Sequence, residues 1–172
     1  MIFFGLKIRL SKLFTITSFL FSILIFWQFY ITHCFDLPAL IGDRTESLLD
    51  LWSFQHLFVG ILLGSILLRI KLFSLASWQE LALTAFFLAI CWEITELVME
   101  NGLFGMAIAH WKDGFEHWSN RMFSDPLMVT SGALIARSFS QSWEIILLPV
   151  IIWLLINLAS PSSMYIQRLL FG

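Results

Sequence analysis

Five long apolar runs constrain this chain more than any other feature. A backbone that crosses hydrocarbon must satisfy its own N–H and C=O groups, and a helix of about 20 apolar residues does so over the bilayer's thickness. The runs are 13–31, 51–68, 81–99, 122–139 and 143–159. The expected fold is all-α: an integral membrane bundle of five transmembrane helices in a single domain covering residues 1–172. Composition excludes the soluble alternative, because 59% of residues are hydrophobic, 13% are charged and the mean hydropathy is +0.85. A soluble domain of this size needs more charged surface than that. Eighteen Phe and eight Trp fit long lipid contact with interfacial anchors.

Lys7, Arg9 and Lys12 precede the first run, which is too long for a signal-peptide core and lacks a small-x-small cleavage site, so an uncleaved span is expected. With the N-terminus inside, the inner face receives Lys7, Arg9, Lys12, Arg69, Lys71 and Arg137, and the outer face receives Arg44, Lys112, Arg121 and Arg168. The excess of basic residues inside supports that orientation. Pro149 is expected to kink the fifth run. Cys34 and Cys91 have no metal-type spacing, and free thiols are the expected state.

This topology sorts the polar residues. All four histidines and ten of the twelve acids fall on the outward half. Glu80 and Glu144, the two exceptions, open the third and fifth helices, where a carboxylate meets the positive end of the helix dipole. Glu93, Glu96 and Glu100 are spaced three and four apart and share one helix face. At ~1.5 Å per residue Glu93 lies roughly 10 Å deeper than Glu100. A carboxylate at that depth is expected to face the bundle interior, since lipid exposure costs several kcal/mol.

His56, Gly60 and Gly64 recur every four residues, so one stripe carries an imidazole above a GxxxG seam suited to close helix packing. Asp125, Gly132 and Ala136 form a comparable stripe in the fourth run. Asp125 before Pro126 also reads as an N-cap.

Between the third and fourth runs lies "HWKDGFEHWSNRMFSDP" (110–126), an amphipathic outer-face loop carrying His110, Asp113, Glu116, His117, Asn120 and Arg121 among Trp111, Phe115 and Trp118. Gly114 argues against an unbroken helix there. His110, Asp113 and His117 share a helical face that a metal would use, with Glu93 or Glu96 completing it. No established zinc spacing is present, so no resident metal is expected and the cofactor is left open. Arg121 suits a phosphate or carboxylate.

Asp50 and His56 of "DLWSFQH", Glu93 and Glu96 of "WEITE", and the segment "RMFSDPLMVTSGALIA" resemble the VanZ-like family of small multi-pass bacterial membrane proteins over residues 50–136. That family's Asp-x3-Asn-x2-Gly-x3-Gly pattern falls on Asp125, Val129, Gly132 and Ala136, with Val129 replacing the amide and Ala136 a glycine. The "DLWSFQH" start and the polar loop also look similar to a further group of uncharacterised bacterial inner-membrane proteins. The resemblance implies a multi-pass protein of the bacterial cytoplasmic membrane with an envelope-related role. Family members have been linked to tolerance of glycopeptide antibiotics, and no settled reaction comes with the name.

Two classes of function follow from these residues. In the first, a pocket at the outer interface handles a lipid or cell-wall-precursor head group. His56, Glu93, Glu96, His117 and Asp125 would perform acid–base work there, with Asp113, Asn120 and Arg121 binding substrate. The same pocket could instead hold its ligand without turnover. In the second, the chain is a structural or assembly subunit of a membrane complex. A transporter fits less well, because the polar residues crowd one end and no midplane site appears. The bilayer is the expected partner and nucleic acid is not.

Overall fold

The computed structural model describes residues 10–33, 35–70, 76–106, 115–139 and 143–159. Within them five α-helices dominate: α1 (Leu10–Thr32), α2 (Leu51–Arg69), α3 (Trp78–Glu100), α4 (Asp125–Ser138) and α5 (Trp143–Ala159). The first three are long and apolar enough to cross a membrane. With 14 residues, α4 is about 21 Å long and falls short of a full crossing by itself. The fourth run expected at 122–139 is built differently: a π-helical turn, Asn120–Ser124, leads into α4. The 17-residue α5 contains Pro149 inside the helix.

Local sequence explains where the helices begin. Asp50 caps α2: its Oδ1 accepts from the Ser53 N–H at 2.8 Å, and Ser53 Oγ accepts from the Asp50 N–H at 3.2 Å. Ser77 and Glu80 make the same reciprocal cap on α3, at 3.2 and 2.7 Å. Each cap satisfies donors that the first turn leaves without partners. Asp125 does not cap α4. Its backbone is already helical (φ −67°, ψ −46°), and its N–H is spent on the Asn120 carbonyl through the π-turn. The carboxylate is thereby left for other contacts.

Helix α4 packs against both α2 and α3; α1 lies on α3, and α5 on α2. The α2–α4 contact is backbone to backbone. A Cβ added at Gly60 would stand 2.1 Å from the Val129 carbonyl oxygen, one at Gly64 2.6 Å from the Ala133 Cα, and one at Gly132 2.2 Å from the Leu57 carbonyl oxygen. Apolar clusters complete the bundle: Leu67, Leu81, Ala85 and Ala133 in one, Leu24, Ile90 and Leu97 in another, and Ile61, Ala136 and Val150 in a third. Cys91 is a free thiol in α3, and Cys34 lies outside the described residues.

Between α1 and α2 the chain forms a small parallel pair, β1 (Ala39–Ile41) and β2 (Ser47–Leu49), with Ala39 opposite Ser47 and Ile41 opposite Leu49. Parallel strands normally need a long crossover. Here Asp43 ties the short connection, accepting on its side chain from the Thr45 N–H at 3.1 Å and on its carbonyl from Ser47 Oγ at 2.7 Å. The turn carries Arg44 into the protein, where it is buried.

Gly132→Ala should lower stability by about 1–3 kcal/mol, since the new methyl meets backbone that has to move. Ser131→Ala, on the exposed side of the same helix, should be nearly neutral. Thermal unfolding of the two variants in detergent checks the contrast.

Candidate functional site

The C-terminal ends of α1 and α3 and the N-terminal ends of α2 and α4 meet at one end of the bundle, and there the polar residues are buried together. Asp50, Glu93, Glu96, Glu100, Glu116 and Asp125 supply six buried carboxylates against the two guanidiniums of Arg44 and Arg121, with the His56 imidazole among them. Glu93, Arg121, Asn120 and Asp125 are completely inaccessible.

One half of the cluster is organised by Arg121. Its Nη1 donates to Gln28 Oε1 at 2.7 Å, and its Nη2 lies 2.6 Å from Glu100 Oε2 and 3.2 Å from Glu116 Oε2. Gln28 Nε2 donates to the Glu116 carbonyl at 3.1 Å, and the Glu116 N–H donates to Glu100 Oε2 at 3.4 Å. Arg44 forms an ion pair with the other Glu100 oxygen, and its carbonyl accepts from the His117 N–H at 2.9 Å. Burial pulls the Arg44 pKa down, but Glu116, Glu100 and Glu96 outweigh it and the net shift is upward. Arg44 is therefore held charged.

The other half centres on His56. Its Nδ1 is 2.8 Å from Asp125 Oδ2 and 3.0 Å from the Trp52 carbonyl, while its Nε2 is 3.8 Å from Glu93 Oε1. Arg121 Nε approaches Glu93 Oε2 only to 3.7 Å. Both oxygens of Glu93 and Oδ1 of Asp125 are buried without a hydrogen bond, while Asp125 Oδ2 is paired with the ring of His56. Oxygens of this kind are normally paired, because desolvating them without a partner costs several kcal/mol. Donor atoms of His56, Glu93 and Glu96 lie within 4.8 Å of one another, as do those of Glu93, Glu116 and Asp125.

A third group joins the helix ends. Ser53 Oγ donates within reach of Asn120 Oδ1 at 3.2 Å, and Ser124 Oγ lies 3.2 Å from Ser53 Oγ. Burial, followed by the Glu116 charge, pushes the Asp50 carboxyl up to about 6.

The structure thus brings together His56, Glu93, Glu96 and Asp125, with Asn120 and Arg121 beside them. Arg121 faces inward as the counter-charge of Glu100 and Glu116. The His117 ring turns to Ser119, at 2.8 Å, and stacks at a tilt on Trp118. Burial lowers its pKa against the opposing influence of Asp36. His110 and Asp113, with the metal site drawn from them and His117, lie outside the described residues. Gly60, Gly64 and Gly132 form the α2–α4 contact directly beneath the cluster. Aromatic rings edge the same end. Trp118 packs edge-on against Phe35 and Phe123, and its Nε1 donates to the Asp36 carbonyl at 2.8 Å.

Sequence reasoning passed over three members of the cluster. Gln28 was detectable as an amide inside an otherwise apolar span, a residue type that fastens membrane helices. Glu116 stood in the polar loop but had no spacing to link it to Glu100. Arg44 carried no signal, because its inward direction comes from the turn around Asp43.

Fold and site together define a helical membrane protein with a buried histidine–carboxylate–arginine centre at one end. No protein-family model matches the chain, and neither does any curated protein or solved structure compared with it.

Two outcomes follow. Arg121→Ala takes the paired guanidinium from Glu116 and leaves Glu100 with Arg44 alone, and should cost about 3–5 kcal/mol. Arg121→Lys should rescue little, because a single ammonium cannot serve Gln28, Glu100 and Glu116 in the fork geometry. Chemical or thermal unfolding in detergent measures both. For Asp50 the folded pKa, about 6, lies above the ordinary 3.8, so its stabilising contribution is complete below about pH 4 and is lost as pH rises through 6. Asp50→Asn keeps a capping oxygen and should flatten the stability profile of the wild type between those limits.

Proposed function

We propose that this chain is a multi-pass membrane enzyme of VanZ-like type. In this reading its histidine–carboxylate centre performs acid–base chemistry on the head group of a lipid or envelope precursor. Five helices embed it in a bacterial cytoplasmic membrane, N-terminus inside, with α4 and its π-turn forming the fourth traverse and the polar end facing outward. One observation carries the reading: Glu93, wholly buried in α3, keeps both oxygens without a hydrogen bond while standing 3.8 Å from the ring of His56. A carboxylate serving only to bind helices together would be expected to find donors, as Glu100 does. Asp125 behind His56 orients the ring, so Glu93 and His56 supply a base and its proton relay. The positive ends of the α2 and α4 dipoles point to this cluster and favour an anionic group there.

A structural or assembly subunit is the second reading, favoured by Arg121, whose Nη groups are already occupied by Gln28, Glu100 and Glu116. The full chain in lipid nanodiscs, incubated with phosphate-bearing and acyl lipids and followed by mass spectrometry, separates the two. Head-group modification that falls roughly 100-fold or more in Glu93→Gln and His56→Ala is expected for the enzyme. Unmodified lipids, with copurification of a partner at constant stoichiometry, establish the structural reading instead.

A further inference from the structure

The atoms around His56 are disposed as the donors of an ion are. Nδ1 faces two acceptors, Asp125 Oδ2 at 2.8 Å and the Trp52 carbonyl at 3.0 Å. Two acceptors hold the ring proton on Nδ1 and leave the lone pair on Nε2. Across from Nε2, at 3.8 Å, stands Glu93 Oε1. That separation is too long for a hydrogen bond. It suits two ligands of one ion, since a tetrahedral centre with ~2.1 Å bonds sets its ligand atoms roughly 3.4 Å apart. A Glu96 oxygen completes a triple whose members lie within 4.8 Å of one another.

Charge makes the same demand. Glu93, wholly buried with neither oxygen hydrogen-bonded, calls for positive charge close to it. Arg121 Nε offers its charge to Glu93 from 3.7 Å, too far for a hydrogen bond, and the other guanidinium nitrogens in contact with carboxylates serve different partners. Arg44 pairs with Glu100, and Arg121 directs its Nη groups to Gln28, Glu100 and Glu116. The Glu93 oxygens, fully buried, accept no hydrogen bond from either.

We infer that His56, Glu93 and Glu96 bind a divalent transition-metal ion, Mn²⁺ or Zn²⁺ in class, with Asp125 gripping the imidazole from behind. Carboxylate–histidine–metal relays of this form orient the ring and raise its basicity. The imidazole ligand favours these ions over Mg²⁺ and Ca²⁺, which prefer all-oxygen shells. Glu93 belongs as well to the triple with Glu116 and Asp125, which puts a further carboxylate within reach of the ion. The inference rests on the cluster being a working site and supplies its cofactor class; with an ion bound, Glu93 and His56 would serve as its ligands in place of base and relay. When bound, such an ion would act as a Lewis acid or activate water.

The test uses the full chain in nanodiscs, stripped with chelator and re-equilibrated separately with Mn²⁺ and Zn²⁺. Metal content is read by mass spectrometry and Mn²⁺ coordination by electron paramagnetic resonance. The expected result is about one equivalent per chain, with nitrogen hyperfine coupling from His56 that disappears in His56→Gln. Asp125→Asn should weaken binding roughly 10- to 100-fold while the ion still loads at saturation, as expected for a group acting through the imidazole. If a variant does not purify as a single species, the nitrogen coupling of the wild type decides. Monodisperse wild-type protein that takes up neither ion, or Mn²⁺ bound without nitrogen coupling, overturns the inference. Stoichiometric metal without lipid turnover upholds it and removes the proposed activity; Glu93-dependent turnover in metal-free protein does the reverse.

Discussion

Among the described residues, six carboxylates are buried with two guanidiniums at one end of an otherwise apolar bundle, and that is the constraint around which this protein is built. Each charge removed from water costs several kcal/mol unless the surroundings replace its hydration. Arg121 provides most of that replacement. Its partners come from α1 through Gln28, from α3 through Glu100, and from the segment before the π-turn through Glu116, so one guanidinium fastens three separate stretches of chain. Arg44 adds the connection between α1 and α2 by its pairing with Glu100.

The packing below the cluster answers to the same need. Gly60, Gly64 and Gly132 let the α2 and α4 backbones touch, and that closeness brings His56 within 2.8 Å of Asp125. Larger residues would push the helices apart and draw the two side chains out of reach. The cluster has a settled part and an unsettled part. The Nη groups of Arg121 are fully engaged, whereas near His56 both oxygens of Glu93 accept no hydrogen bond. Rigid support on one side and unsatisfied ligand atoms on the other is how functional centres are generally held.

Much of this arrangement was legible in the residues. The first three helices follow from length and scarcity of charge, and the spacing of Glu93, Glu96 and Glu100 placed them on an inward face, where all three are buried. The stripe of His56, Gly60 and Gly64 was readable for the same reason: a period near four survives tertiary packing. Features set by backbone geometry were not. Hydropathy cannot tell a continuous α-helix from a 14-residue helix led in by a π-turn, since both expose apolar side chains. Asp125 followed by Pro126 had the signature of a cap, but the π-turn satisfied the backbone upstream and freed the carboxylate for His56. Strands of three residues are too short for any alternation to appear, so the pair that turns Arg44 inward left no pattern.

The π-turn makes the site sensitive to chain length as well as to residue identity. Between Asn120 and Ser124 the hydrogen bonds close over five residues instead of four. Deleting a single residue there would restore ordinary winding and leave α4 helical. Everything upstream would rotate by about 100° around the helix axis relative to α4. Arg121 and Asn120 would then swing out of the cluster with no change in their identity.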